Sequence, residues 1–437
     1  MKNFLLLVLL CSVFVTTAQN PEKPKLITGP IVGSVTKNSA RIWIAYKGDG
    51  LNMMSLEDTV DETVYRPTSF HKINDNKGVT ALNMDFTGLQ PGHIYKPVFI
   101  KDVGLKPKCV FTTQADSTVK DIEFLVGSCA LINTDISRFV FPGGNIAIFE
   151  VMRRRKSDFM LWLGDNIYLF SKHYNSYDGM FQRNLKVRNQ FPILQNFLAE
   201  QPNYALWDDH DYGWNDADRK FPLRDTSLKI FKGFWPNTYA QDDTIPGNYF
   251  TFRYYDSEFF MTDDRYYRDP EGDTSGAYLG KEQFEWLKKK LKSSDATFKF
   301  ICSGSQVLND SYYGESYAKY SKERNELLDF IATQNIKGII FLSGDKHFSE
   351  MSRRDWKGYP MLDFTSSPLT SPVIKLRTSG FVNNYSVPGT LLYRKNFGKI
   401  SITGEPGNRV CKMEIFGKGG DKKWEYVVNA NELQVKK

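Results

Sequence analysis

A small all-β sandwich followed by a larger α/β domain is the fold class this sequence predicts, and three observations predict it. Up to about residue 113, apolar and polar residues alternate in short runs rich in β-branched and aromatic side chains. Beyond that point, short continuous apolar runs alternate with longer segments whose apolar residues share one helical face. Each of those runs breaks off at once into small or ionisable residues, as buried strands do where they reach a ligand-binding edge.

Residues 1–18 read as a cleavable export signal. Lys2 gives a positive start, Phe4 to Val15 form an apolar stretch too short for a bilayer span, and Thr16-Thr17-Ala18 supply small residues before Gln19. A lipid anchor at Cys11 is disfavoured by the large Leu9 and Leu10 before it and by the apolar run that continues past it. No later segment reads as a transmembrane span, so the expected product is secreted or periplasmic.

Residues 25–115 form the first domain. Ser39 to Tyr46 alternates as a half-buried strand should, Gly88-Leu89-Gln90-Pro91-Gly92 marks a corner, and Ile94 to Ile100 is a strand that Pro97 assigns to an edge. A sandwich of fibronectin type III kind fits, with Leu89 and Tyr95 at its corner. Gln114 to Ser117 reads as a linker, and residues 120–437 form the second domain. Its strands include Phe124-Leu125-Val126, Met160 to Leu163, Phe298 to Cys302 and Gly338 to Leu342. Its helices include Glu282 to Leu291, with Phe284, Leu287 and Leu291 on one face, and Glu323 to Ile331, with Leu327, Leu328 and Ile331.

The 437 residues, 41% hydrophobic and 24% charged, are enough for two cores and exclude a disordered chain. A formal net charge of +7 suits an anionic substrate, but no long basic run concentrates it, and stable nucleic-acid binding is not expected. Arg153-Arg154-Arg155 reads as a solvated helix face before a phosphate-steering patch. Cys109, Cys129, Cys302 and Cys411 are too scattered to be a disulfide framework, which leaves their pairing open.

Four strand-end segments carry the chemistry: Gly127-Ser128-Cys129, Gly164-Asp165-Asn166-Ile167-Tyr168, Trp207-Asp208-Asp209-His210-Asp211 and Gly344-Asp345-Lys346-His347. Each sets an ionisable residue beside an apolar strand or an aromatic ring, where an uncompensated charge is costly. Singly, each is as well explained by a turn or a buried thiol; together they read as a metal site. With five histidines in the chain, His71 and His93 in the sandwich and His173 in a polar loop, a centre built mainly from imidazoles would lack ligands. Aspartates, a phenolate and a thiolate instead suit ferric iron, calcium or magnesium, the thiolate favouring iron.

The ordered set Gly-Ser-Cys, Gly-Asp-Asn-Ile-Tyr, Trp-Asp-Asp-His-Asp and Gly-Asp-Lys-His, preceded by an Arg-Ile-Trp strand and a Gly-Leu-Gln-Pro-Gly corner, resembles the PhoD-type alkaline phosphatases of the calcineurin-like metallophosphatase superfamily. Met261 to Arg268 is similar to that family's Asp-x-Arg strand end. The resemblance implies a metallophosphatase-type β-sandwich flanked by helices behind the fibronectin-like domain. It implies that Asp165 bridges two metals, that Cys129, Tyr168 and His347 hold Fe3+ with it, and that Asp209 and Asp345 hold Ca2+. Asp208 is either a further ligand or a hydrogen-bonding residue; Asn215 and Asp216 are either part of the calcium shell or a turn. His210 is the expected acid for the leaving alkoxide, with Asp211 orienting its imidazole.

Arg265 and Arg268 are the candidate phosphate clamp, unless they pair with Asp263 and Asp264; Arg409 is a weaker candidate. The expected function is that of a secreted phosphoesterase hydrolysing phosphomonoesters, phosphodiesters or both with a metal-activated water or hydroxide. One alternative is a phospholipase-like or nucleotide-directed phosphodiesterase on the same site, its substrate stacked on Tyr254-Tyr255 or Tyr266-Tyr267. From another class comes a non-catalytic surface-binding protein with a structural metal site.

Overall fold

The structure is a computed structural model that describes residues 24–48, 54–99, 109–132, 146–238, 245–272, 274–311, 314–374 and 383–436. The expected export signal and Ile100 lie outside the described residues. No described helix is long and apolar enough to cross a membrane.

The amino-terminal region has two four-stranded antiparallel sheets. Strands β1 (Lys25–Val35), β2 (Ser39–Lys47), β3 (Met54–Asp58), β4 (Val64–Tyr65), β5 (Ser69–Asn74), β6 (Val79–Thr87), β7 (Ile94–Phe99) and β8 (Phe111–Thr112) are ordered β1-β2-β6-β5 and β4-β3-β7-β8. Val32, Ile42, Ile44, Leu56, Met84 and Tyr95 are among the side chains that fill the space between them. At the corner Leu89 is buried and the Tyr95 hydroxyl accepts from the Gln90 N–H at 2.7 Å. Pro97 lies beyond the two residues of β7 that β8 pairs, Ile94 and Tyr95, in the half of the strand open on that side. His71 and His93 each pair with a sandwich carboxylate, Asp85 and Asp58.

The larger region is two six-stranded sheets packed face to face. In chain order its strands are β9 (Ile122–Gly127), β10 (Phe159–Leu163), β11 (Asn203–Leu206), β12 (Phe250–Tyr254), β13 (Ser257–Met261), β14 (Phe298–Ser303), β15 (Ile339–Ser343), β16 (Glu350–Trp356), β17 (Tyr359–Thr365), β18 (Asn396–Thr403), β19 (Val410–Gly417) and β20 (Lys422–Asn429). One sheet runs β11-β10-β9-β18-β19-β20 and the other β12-β13-β14-β15-β17-β16. Aromatic rings cross the interface: Phe124 stands edge-on to Phe259 and Phe300, and Tyr204 stacks on Phe252 at 3.7 Å. The parallel strands β9, β10 and β11 and β13, β14, β15 and β17 all carry their carboxyl ends to one edge of this sandwich.

Helices cover the outer faces. Helices α1 (Ala147–Arg153), α2 (Ser171–Tyr174), α3 (Tyr177–Gln190), α4 (Pro192–Ala199), α5 (Asp209–Tyr212) and α6 (Arg224–Phe234) precede α7 (Lys281–Ser293) and α8 (Ser321–Thr333). Phe149, Phe181, Phe197 and Phe231 from the first group pack on Leu125, Met160 and Trp162, the outward residues of β9 and β10. Phe284, Leu287, Leu327, Leu328 and Ile331, the faces read from the sequence, join the core of the second sheet. Arg153 and Arg154 form surface pairs with Glu150, and Arg153 also pairs with Glu200. Cys109, Cys129, Cys302 and Cys411 are all buried and none of them is in a disulfide.

One difference from the sequence reading has structural consequences. β2 is buried on both faces from Ile42 to Tyr46, because Trp43 and Ala45 point into the helical layer of the larger region while Ile42 and Ile44 point into the sandwich. Trp43 Nε1 donates to the Gly233 carbonyl at 2.9 Å, Arg41 Nη1 donates to Asn237 O at 2.8 Å, and a Cβ on Gly33 would lie 2.0 Å from Pro236 O. The sandwich is therefore seated on α6 without room for a side chain at Gly33. Trp43→Ala empties the centre of this seam and is expected to lower the unfolding free energy by about 3–5 kcal/mol in urea titrations.

Candidate metal centre

The turns that follow the parallel strands meet because the two sheets converge at their carboxyl ends. Cys129 N donates to Gly164 O at 3.2 Å and Ala130 N to Asp165 O at 2.8 Å, tying the turns after β9 and β10. Gly344 N donates to Gly304 O at 2.8 Å, which does the same for β15 and β14 in the other sheet. A Cβ on Gly344 would lie 2.4 Å from Leu163 O and 2.6 Å from Ser128 Cβ, so the sheets approach here only because this residue is glycine. Cys129, Asp165, Asp345 and His347 all hold left-handed backbone, with φ of +56°, +55°, +62° and +56°. Non-glycine residues rarely adopt it, and they cluster there at functional sites.

Cys129, Asp165 and His347 each offer a donor atom within 4.8 Å of the other two. The Tyr168 hydroxyl donates to Asp165 Oδ2 at 2.9 Å and accepts from Ser371 Oγ at 2.9 Å. His347 Nδ1 donates to the Pro372 carbonyl at 2.5 Å, which leaves the Nε2 lone pair as the atom that could ligate a metal. Ser367 Oγ donates to the Cys129 thiol at 3.2 Å. Asp209 and His210 form a second group with Asp165, again with donor atoms within 4.8 Å of one another. The His210 backbone N–H donates to Asp165 Oδ1 at 3.2 Å, and its ring stacks on Tyr168 with centroids 4.2 Å apart. Asp209, Asp165, Asp345, His210, His347 and Asp216 line a common cavity of about 310 Å³.

The cavity is crowded with negative charge. Burial, and next the charge of Asp209, push Asp165 well above the usual carboxylate range. Burial likewise raises Asp208 and Asp345, and it pushes the Cys129 thiol up to about 12. Burial acts on Asp209 too, but His210, Arg265 and the Asp216 N–H hold it below the carboxylate range. Asp208 Oδ2 and His210 Nδ1 are buried without a hydrogen-bond partner. A thiol, a phenol, carboxylates and an imidazole that converge on one point and repel one another are a donor set suited to cations.

Two expectations need correction. Asp211 does not reach the His210 ring: its carboxylate accepts from the backbone N–H groups of Asn166, Ile167 and Asp208 at 3.1, 2.8 and 3.2 Å, tying the turns after β10 and β11 together. Burial pushes it up to about 7. Arg265 and Arg268 are 0% and 2% exposed and do not face the cavity. Arg265 Nε donates to Asp208 Oδ1 at 2.6 Å, and both guanidinium groups grip Glu315, Arg265 through Nη1 at 2.9 Å and Arg268 through Nη2 at 2.7 Å. Nor do they pair with Asp263 and Asp264 in side-chain bonds: Asp263 accepts from Trp207 Nε1 and backbone N–H groups, and Asp264 from Tyr278 and Ser305. Arg409 pairs with Asp256 and Asp121 away from the cavity.

The remaining sequence candidates also find places. Asp216 N donates to Asp209 Oδ2 at 2.8 Å, and Asn215 lines the cavity. His173 Nδ1 accepts from the Phe170 N–H at the start of α2. Neither tyrosine pair lines the cavity; Tyr254 packs on Phe159, and Tyr266 bonds to Asp225. Glu315, Asn309 and Lys346 line the cavity and were given no role from sequence; Lys346 alone carried a signal, inside the Gly-Asp-Lys-His turn. Arg265→Met strands Asp208 as an unpaired buried carboxylate and leaves Glu315 with Arg268 alone, and is expected to destabilise the fold by about 3–5 kcal/mol in urea unfolding. A phosphate clamp would instead raise KM in a fully stable protein.

A model of the PhoD-like phosphatase family matches residues 124–407. Alkaline phosphatase D of Bacillus subtilis (strain 168) is 23% identical over 406 residues, 77% of this chain and 66% of that protein, so the chain spans slightly less than two thirds of that relative's length. The solved structure of PhoD superposes with a TM-score of 0.70 at 18% identity, covering 94% of this chain and 93% of that one. That of purple acid phosphatase PPD1 from yellow lupin (Lupinus luteus) seeds gives 0.64 at 11% identity, covering 94% and 74%. Both likenesses establish a shared fold. With its family model spanning the second sheet, the first sheet as far as β18 and every strand-end turn of the cavity, the chain belongs to the PhoD-like phosphatase family.

Proposed function

We propose that the protein is a metal-dependent phosphoesterase acting on small phosphomonoesters, phosphodiesters or both. The observation that carries this reading is that two groups of close donor atoms, Cys129, Asp165 and His347, and Asp165, Asp209 and His210, share one carboxylate at a cavity. Asp165 would bridge two cations, with Cys129, Tyr168 and His347 holding Fe3+ and Asp209 and Asp345 holding Ca2+. Bound there, the cations would polarise the phosphoryl group and make water a nucleophile near neutral pH. Membership of the PhoD-like phosphatases supports the same chemistry. Export directed by residues 1–18, and a fibronectin type III-like character for the two four-stranded sheets, belong to this reading.

His210 is the proton donor in it. Its ring lines the cavity, is fixed by stacking on Tyr168, and sits on a backbone N–H bonded to Asp165, so the imidazole keeps one position relative to the bridging carboxylate. Asp211 acts through the backbone, holding the turns that carry Asp165 and His210 in register. The imidazole gives its proton to the departing alkoxide oxygen, a contribution of about 10²- to 10⁴-fold.

Two experiments test this. The purified protein is expected to hydrolyse chromogenic phosphomonoester or phosphodiester substrates, to stop after chelation, and to recover only when iron and calcium are both restored. Failure of the metallated protein on both esters would favour a surface-binding protein with a structural metal site. His210→Ala is expected to keep its metal content in elemental analysis while kcat falls about 10²- to 10⁴-fold. Loss of metal along with activity would make His210 a ligand instead.

A further inference from the structure

With Arg265 and Arg268 closed off, the question is what meets the negative charge of a substrate phosphoryl group. Lys346 is the one Lys or Arg side chain among the described residues lining the cavity. Its side chain is only 7% exposed, and its Nζ donates to the Glu315 backbone carbonyl. The nearest carboxylate oxygen is Asp345 Oδ2 at 3.7 Å, beyond hydrogen-bonding range. An ammonium has three N–H groups, and the structure gives a hydrogen-bond acceptor to one of them. Asp345 and His347 on either side of it are both left-handed, so the turn sends their side chains to the cavity wall with the lysine between them. Here is a desolvated cation on a short tether, facing a space whose lining carries five carboxylates, Asp165, Asp209, Asp216, Asp345 and Glu315.

We propose that Lys346 is the substrate-binding cation of this site and that it selects the dianionic phosphomonoester over the monoanionic diester. The inference rests on the phosphoesterase reading above and adds the substrate class to it. A monoester carries a second charge on a non-bridging oxygen that can take up the remaining ammonium N–H groups. In a diester that position holds an esterified oxygen with its carbon substituent, and pressing a carbon group against a buried ammonium removes solvation without returning a hydrogen bond. Lysine serves here as a point charge, which matches a single phosphoryl oxygen.

Lys346→Gln retains a donor for the Glu315 carbonyl and removes the charge; Lys346→Arg retains the charge. The metal-loaded full chain and both variants are compared in metal content, in calorimetric binding of inorganic phosphate, and in kcat and KM on 4-nitrophenyl phosphate and bis(4-nitrophenyl) phosphate. K346Q is expected to keep its metals, to bind phosphate roughly 10- to 100-fold more weakly, and to raise KM for the monoester by a similar factor, with a clearly smaller rise for the diester. K346R is expected to recover most of the phosphate binding. Equal losses on the two esters, unchanged phosphate binding, or loss of metal from K346Q would each overturn the proposal. A parent protein that binds phosphate through Lys346 but turns over neither ester supports the binding role and removes the phosphoesterase reading on its own.

Discussion

Glu315 takes the guanidinium groups of both Arg265 and Arg268, and Arg265 continues to Asp208, so a chain of buried charges runs from beneath the cavity to the turn after β11. This is where the positive charge inside the site is concentrated, and it lies on the far side of the carboxylates from the open space. Asp165, Asp209 and Asp345 can then share one cavity while part of their repulsion is answered from behind. The answer is incomplete, since burial and mutual repulsion still raise Asp165. That residual imbalance is what would draw cations to the proposed centre, and the arginines offset part of it from behind.

The geometry around that chain is set by backbone rather than by side chains. Asp211 spends both carboxylate oxygens on N–H groups of neighbouring turns, and Gly344 lets one sheet touch the other. Behind these turns the aromatic layer of Phe124, Phe159, Phe259 and Phe300 fixes how far apart the sheets stand. Seating of the amino-terminal sandwich through Trp43 holds α6, which packs beside α5 and hence beside His210. Distance between the donor atoms is thus decided by packing well outside the cavity.

How much of this could be read from the sequence depended on whether the signal was local. Cys129, Asp165, Asp209, Asp345 and His347 were legible because each follows an apolar strand directly, and parallel strands end at one edge. The helix faces of α7 and α8 were legible from periodicity. Arg265 and Arg268 were misread because the partner that claims them, Glu315, is 47 or more residues away in a segment without pattern. Asp211 was misread because a carboxylate beside a histidine looks the same whether it turns to the ring or to backbone N–H groups. The antiparallel strands β18, β19 and β20, which complete the first sheet, and the burial of β2 on both faces are products of tertiary packing that no local alternation encodes.

The four left-handed residues of the centre have an evolutionary corollary. At Cys129, Asp165, Asp345 and His347 the backbone adopts the conformation in which glycine is most at ease, so drift to glycine at these positions would relax the fold while erasing a donor. Selection for robustness and selection for the centre therefore pull in opposite directions at the same four codons. A member of this lineage that had lost its chemistry would be expected to show glycine or asparagine first at those turns, ahead of any change in the strands that lead to them.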